Sequence, residues 1–159
     1  MSTRSRPRAD DPSAWLALDR QLCFAIYSTS LAMTKLYKPL LEPLGLTYPQ
    51  FLVMLALWQQ DGQTVSQLGE RLTLDSGTLT PLLKRLEASG LLQRLRDATD
   101  ERRVLLRLTP DGRSLKTRAQ HVPRAVASAT GCGLDEIASL TARLQALRAR
   151  LTDSPHRAA

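Results

Sequence analysis

Aromatic side chains are scarce in this 159-residue chain, which has two Trp, three Tyr and two Phe. Any core must be filled by Leu, Ala, Val and Ile, and 43% hydrophobic content is enough for one domain. Cysteine is limited to Cys23 and Cys132, and histidine to His121 and His156. Two cysteines do not make a disulfide framework, and no Cys/His spacing matches a zinc site, so neither a metal nor another cofactor is expected. There is no Gly-rich phosphate loop and no acid–base pair set for hydrolysis, which argues against an enzyme. Long apolar runs are missing as well. The longest, Phe51 to Trp58, falls far short of the ~20 residues a bilayer needs. The polar, Arg-rich first residues lack the apolar stretch of a secretory signal. The expected location is the cytoplasm, with no membrane partner.

Positive charge is in excess. Lys and Arg number 22 against 15 Asp and Glu, a net charge of +7 with a pI near 10.1. Such a balance suits a polyanion partner, nucleic acid first. Leu, Ala, Arg, Gln and Glu recur throughout and favour helix, so the expected class is mainly α. Residues 1–12, polar with three arginines and two prolines, read as a disordered tail, as do residues 153–159. A single domain is expected over 13–152.

From Ser13 to about Leu36 the residues Trp15, Leu18, Leu22, Ile26, Met33 and Leu36 recur at steps of three, four or seven, a helical pattern. A helix of about 36 Å is too long for one small core to cover, and a partner subunit is expected against it. Lys38-Pro39 should break it, with a short helix from Leu40 to Leu44 ended by Gly45. Thr47 should cap a helix through Trp58, and Asp61-Gly62 should turn. A short helix is expected over Thr64 to Leu72. A second follows within residues 73–90, with Leu79, Leu82, Leu83 and Leu86 as its buried stripe and Pro81 near its start. Residues 91–108 change to a period of two and read as a β-hairpin. A helix from Pro110 to about Ser128, kinked by Pro123, and a last helix from Leu134 to Leu151 complete the chain.

Short helix, tight turn, capped helix and basic hairpin is the order of a winged helix-turn-helix, expected over about 47–108, with helical dimerisation segments at about 13–45 and 110–152. The fold class is thus mainly α with a small β-hairpin wing. The second helix of such a pair lies in the major groove of DNA. Opposite its leucine stripe stand Gly77, Thr80, Pro81, Lys84 and Arg85, while Ser76 and Thr78 are capping residues at its start. Small residues there let the backbone approach DNA, and the free N–H groups of a helix start favour phosphate. Lys84 and Arg85 supply cations to backbone or guanine. On the hairpin, Arg94, Arg96, Arg102 and Arg103 suit phosphate or a narrow minor groove. Asp100 is placed to fix the Arg102 guanidinium by a bidentate pair.

Cys23 lies mid-way along an apolar helix face. Such a cysteine is a small buried hydrophobe or a reactive thiol. Tyr27, four residues on, can present its hydroxyl to the sulfur, and hydroxyl donors favour the nucleophilic thiolate. Arg20 is three residues before it, and Phe24, Ile26 and Met33 supply apolar surroundings. Cys132, between two glycines, reads as an exposed thiol on a flexible loop.

The run LDSGTLTPLLKRLEASGLLQR, the wing ending in DERRVLLRLT, and the DG-led helix after it resemble the MarR family of bacterial regulators. The segments QLCFAIY, LYKPLL and TYPQ are similar to its organic hydroperoxide resistance branch, the two-cysteine type of OhrR. The likeness covers roughly residues 16 to 151. It implies a homodimeric repressor whose N- and C-terminal helices interlock and whose two winged lobes read double-stranded operator DNA. It also implies release by an organic hydroperoxide inducer. By motif match, Cys23 is the peroxide-reactive cysteine, and Tyr27, Tyr37 and Tyr48 are the tyrosines that support its thiolate, some from the partner subunit. Cys132 takes the resolving position. In the expected sequence of events a peroxide oxidises Cys23 to sulfenic acid, Cys132 of the other subunit condenses with it, and the lobes shift off the operator. Three rival readings remain: a MarR-type repressor released by a non-covalent phenolic ligand, a thiol peroxidase, and a DNA binder of purely architectural role.

Overall fold

The computed structural model describes residues 15–153. The 1–12 tail, the start of the first helix at Ser13, and the C-terminal residues beyond 153, with His156, lie outside them. A 3₁₀ turn at Leu18–Arg20 precedes α1, Leu22–Leu41. A second 3₁₀ turn, Glu42–Leu44, ends at Gly45, which is left-handed at φ 68°. Helix α1 therefore starts later than its apolar spacing predicts, and Lys38-Pro39 does not break it. Pro39 is two residues from the end, so only one helical bond, to the Lys35 carbonyl, is lost. The expected separate helix from Leu40 to Leu44 is the last turn of α1 tightening into 3₁₀ geometry.

Helices α2 (Tyr48–Gln59) and α3 (Val65–Leu72) both start with capping boxes. Thr47 pairs with Gln50, and Thr64 with Gln67. Each pair satisfies two N–H groups that the first turn leaves unpaired. Helix α4, Ser76–Ala88, is capped by Asp75. It ends at left-handed Gly90, whose neighbour Leu91 donates back to the Leu86 carbonyl at 3.0 Å. Strands β1 (Leu92–Arg96) and β2 (Val104–Leu108) form an antiparallel hairpin with Leu92 opposite Leu108. The 62–64 segment joins the root of this hairpin. Gly62 donates to the Leu106 carbonyl at 3.0 Å, and Leu106 donates to the Gln63 carbonyl at 2.8 Å.

The helix expected from Pro110 to Ser128 is two helices, α5 (Pro110–Ala119) and α6 (His121–Thr130), parted at Gln120. Pro123 is not the kink. It is the third residue of α6, where a missing N–H costs nothing. After left-handed Gly131, helix α7 runs Leu134–Thr152.

The core gathers around α2, whose Phe51, Val53, Met54 and Leu57 are almost wholly buried. The α4 stripe (Leu79, Leu82, Leu83, Leu86) closes on it from one side, and Leu106 of β2 and Val122 of α6 join it. Of the first and last helices, only the C-terminal half of α1 packs on this core, through Met33, Leu36, Tyr37 and Leu40 beside Leu41. Helix α1 buries only Leu41, and α7 buries nothing. Leu134, Leu140, Leu144 and Leu151 of α7 stand exposed, as do Leu22, Phe24, Ile26 and Leu31 of α1. Among the described residues, no single helix is long and apolar enough to cross a membrane.

Candidate DNA interface and thiol site

Helix α4 presents a sharply divided surface. Its four leucines face inward, while Ser76, Gly77, Thr78, Pro81, Lys84 and Arg85 are exposed and Thr80 is half-buried. Pro81 is sixth in the helix, further in than expected. Its ring removes the bond that Gly77's carbonyl would otherwise accept. Asp75 holds the helix start. One oxygen accepts the Thr78 N–H at 2.9 Å and the other the Thr78 hydroxyl at 3.0 Å. Those two bonds hold its carboxyl below the usual range. The Thr78 hydroxyl proton is thus committed to the cap.

The wing tip is folded by its own acids. Asp97 accepts from the Thr99 N–H at 2.9 Å and hydroxyl at 2.7 Å, and lies 3.8 Å from Arg103 Nε. Asp100 accepts the Arg102 N–H at 3.1 Å and its Nε at 3.4 Å. The expected bidentate fork is instead a one-nitrogen contact, made to the same Oδ1 that accepts the backbone N–H. The Arg102 side chain remains 93% exposed. Arg96 is exposed on β1, and Arg94 is half-buried beside α4.

Between wing and helices lies a cleft of about 500 Å³, lined by Ser66, Thr80, Leu83, Arg94, Arg102 and Arg103 among others. Three of the wing's five arginines thus converge on one hollow next to α4. Ser66 and Glu87 were not singled out in the sequence. Ser66 enters through the start of α3. Glu87 accepts from Arg94, a pairing seven residues apart that only the turn at Gly90 creates.

The thiol residues are divided. Cys23 is the second residue of α1 and is exposed within its own chain. Tyr27, one turn on, is 62% exposed. Tyr37 and Tyr48 meet one another, with ring centroids 4.7 Å apart, and Phe51 lies 6.0 Å from Tyr37. Burial raises the hydroxyl pKa of both tyrosines, and for Tyr37 the neighbouring Tyr48 adds to it. They stay protonated donors at neutral pH. Tyr37 lies fourteen residues on from Cys23 along the helix, about 21 Å along the axis. One chain therefore assembles the Tyr37–Tyr48 pair but does not bring Cys23 to it. Cys132 is half-buried rather than fully exposed. Its N–H donates to the Thr130 hydroxyl at 3.2 Å, and its sulfur lies 3.7 Å from the Thr130 carbonyl. Among the described residues, no three His, Cys, Asp or Glu side chains gather as a metal site.

Residues 35–119 match the family model of the transcriptional regulators SarA/Rot. The HTH-type transcriptional regulator TtmR of Methylorubrum extorquens is 49% identical over 150 residues, 94% of this chain and 75% of that protein. The organic hydroperoxide resistance transcriptional regulator of Bacillus subtilis is 52% identical over 111 residues, 70% of this chain and 76% of that one. Among solved structures, AbfR bound to DNA in its reduced and overoxidized forms is 34% and 35% identical. Each covers 89% of this chain and 99% of its own, with a TM-score of 0.72. The disulfide-formed AbfR superposes less closely, with 36% identity, coverage of 85% and 95%, and a TM-score of 0.60.

Proposed function

This chain belongs to the MarR/SarA family of winged-helix, DNA-binding transcriptional regulators, and from that premise we propose that it is a cytoplasmic, homodimeric, peroxide-released repressor. The observation that carries the reading is the division of the thiol site. Cys23 and Tyr27 stand on an uncovered apolar face, and the Tyr37–Tyr48 pair lies about 21 Å away along the same helix. A second copy laid on the bare faces of α1 and α7 supplies the missing half, so that Cys23 of one protomer meets the tyrosines of the other. It also covers apolar side chains whose burial is worth roughly 1.5–3 kcal/mol each.

In the chemistry that follows, the Cys23 thiolate attacks the terminal oxygen of an organic hydroperoxide. The O–O bond breaks, sulfur is oxidised to sulfenic acid, and the alcohol leaves after taking up a proton. The Cys132 thiol of the other protomer then displaces water from that sulfur and forms a disulfide. Tyr27, Tyr37 and Tyr48 act as hydroxyl donors to the thiolate. Ser76, Gly77, Thr78, Thr80, Pro81, Lys84 and Arg85 meet the major groove and its phosphates, and Arg94, Arg96, Arg102 and Arg103 the flanking backbone and minor groove, with Asp100 steadying Arg102. Linking α1 of one chain to the α6–α7 turn of the other shifts the two lobes out of half-site register.

Gel-shift titration on the DNA upstream of its own gene tests this. Cumene hydroperoxide should release the wild type and leave Cys23→Ser bound. A dimer-sized band on non-reducing gels should require both cysteines. Equal release of wild type and Cys23→Ser would overturn the reading.

One observation favours a second reading, release by a phenolic ligand. An apolar groove of about 510 Å³ lies between α1 and the start of α2, floored by Leu46, Tyr48 and Pro49 and edged by Lys35 and Lys38. Release of Cys23→Ser by an aromatic carboxylate without peroxide would favour it.

A further inference from the structure

Glu87 stands in the last turn of α4 and faces β1 across the turn at Gly90. Its Oε1 accepts the Arg94 backbone N–H at 3.0 Å, and its Oε2 accepts Arg94 Nε at 2.8 Å. Two bonds from one carboxylate to one residue fix both the path of the strand and the direction of its guanidinium. Arg94 also lines the cleft shared by Thr80 of α4 and Arg102 and Arg103 of the wing. With Nε engaged, its two Nη groups form the remaining edge, and they make no hydrogen bond among the described residues. The Arg94 N–H and guanidinium hold the Glu87 carboxyl below its ordinary range, so the pair is fully charged at neutral pH.

We infer that Glu87 is a positioning residue for DNA binding: it locks the wing root to the recognition helix and aims the Nη edge of Arg94 at a backbone phosphate seated in the cleft. The inference rests on the DNA-binding reading of this face. It makes a counterintuitive demand. Glu87 is an anion beside the seat of a polyanion, so charge alone predicts that removing it tightens DNA binding. Positioning predicts the opposite, because an unanchored Arg94 must be ordered at the moment of binding.

The test is fluorescence anisotropy on a duplex from the DNA upstream of the gene, over a salt series. The proteins are wild type, Glu87→Ala, Glu87→Gln, Arg94→Ala and the Glu87→Ala/Arg94→Ala double variant, each checked for cooperative urea unfolding. Glu87→Ala should weaken binding roughly tenfold, the scale of one charge-assisted hydrogen bond. It should also lower the salt slope by about one, as Arg94→Ala does. The double variant should bind no worse than Arg94→Ala alone. Glu87→Gln, which keeps an oxygen for the backbone N–H, should fall between; if Glu87→Ala fails to fold, its weakening and smaller slope carry the test. Glu87→Ala binding as tightly as wild type or tighter, or losses that simply add, would overturn the inference and leave the DNA reading intact. A wild type that binds no duplex would overturn both.

Discussion

A methyl group on Gly112 would sit 1.9 Å from the carbonyl oxygen of Leu91, with the Leu108 side chain 3.3 Å away. Neither backbone can retreat easily. The Leu91 carbonyl accepts the Thr109 N–H at 3.1 Å, and the Gly112 carbonyl accepts Trp58 Nε1 at 2.8 Å. Glycine is therefore required here by approach of two backbones and not by its dihedral freedom. Gly112→Ala should destabilise the protein by about 3 kcal/mol, the upper range for a forced core rearrangement. Urea unfolding monitored by circular dichroism checks this, and an unchanged midpoint would contradict it. Nothing in a DG dipeptide in the first turn of a helix announces this demand. It arises from a tertiary contact between α5 and the link that leads into β1. Glu87 was hidden for the same reason. Its partner is seven residues on and across a chain reversal, whereas a helix-surface pair is read at three or four.

At the scale of elements, Asp61 is the clasp. It accepts N–H groups from Gly62 and Leu108 at 2.9 Å each and the Arg113 guanidinium at 3.1 Å, tying the end of α2 to β2 and α5. Partial burial raises its carboxyl pKa, but the Leu108 N–H, Arg113 and Gly62 N–H together outweigh that and leave it below the ordinary 3.8. A depressed folded pKa gives stability that is fully present above the unfolded value and is lost as pH falls through the folded one. Unfolding free energy should therefore decline in the acid limb below about pH 4. Asp61→Asn should be less stable at neutral pH and show a shallower acid limb. Urea titrations across that range measure both, and parallel pH curves for the two proteins would count against the clasp.

The elements themselves were largely legible, because the chain marks its boundaries chemically. Thr47, Thr64, Asp75 and Thr109 each accept a bond from an N–H of the following first turn. Alternation along residues 91–108 identified the hairpin, with Leu92, Leu106 and Leu108 buried. Proline misled the reading three times. Pro39, Pro81 and Pro123 all lie within helices, near an end or in the first two turns, where the loss of at most one bond is covered by packing. The true break at Gln120 carries no sequence signal of its own. On the candidate site, the arginines and the cysteines could be named from sequence. The convergence of Arg94, Arg102 and Arg103 on one cleft could not, since it depends on how the wing folds back toward α3 and α4.

At the scale of the whole molecule, the proposed dimer turns on α7. Nineteen residues, about 28 Å of helix, bury nothing within their own chain while carrying four exposed leucines. In the proposed dimer that surface is the interface. Replacing Leu140 and Leu144 by Asp should convert a dimer into monomers by analytical ultracentrifugation, with loss of operator binding. A wild type that sediments as a monomer at micromolar concentration would contradict the proposed assembly.

The separation of Cys23 from Tyr37 along one helix has a consequence for how strongly the cell must be challenged before genes are expressed. In the proposed dimer each chain contributes half of each sensing centre, so every operator-bound pair carries two triggers. Given that one disulfide is enough to shift the lobes of that dimer, repression behaves like two switches in series and persists only while both remain unfired. The share of repressed promoters follows the square of the reduced fraction. The first traces of oxidant therefore produce about twice the response that one trigger per pair would give, and the threshold is set by the symmetry of the molecule as much as by the reactivity of its sulfur.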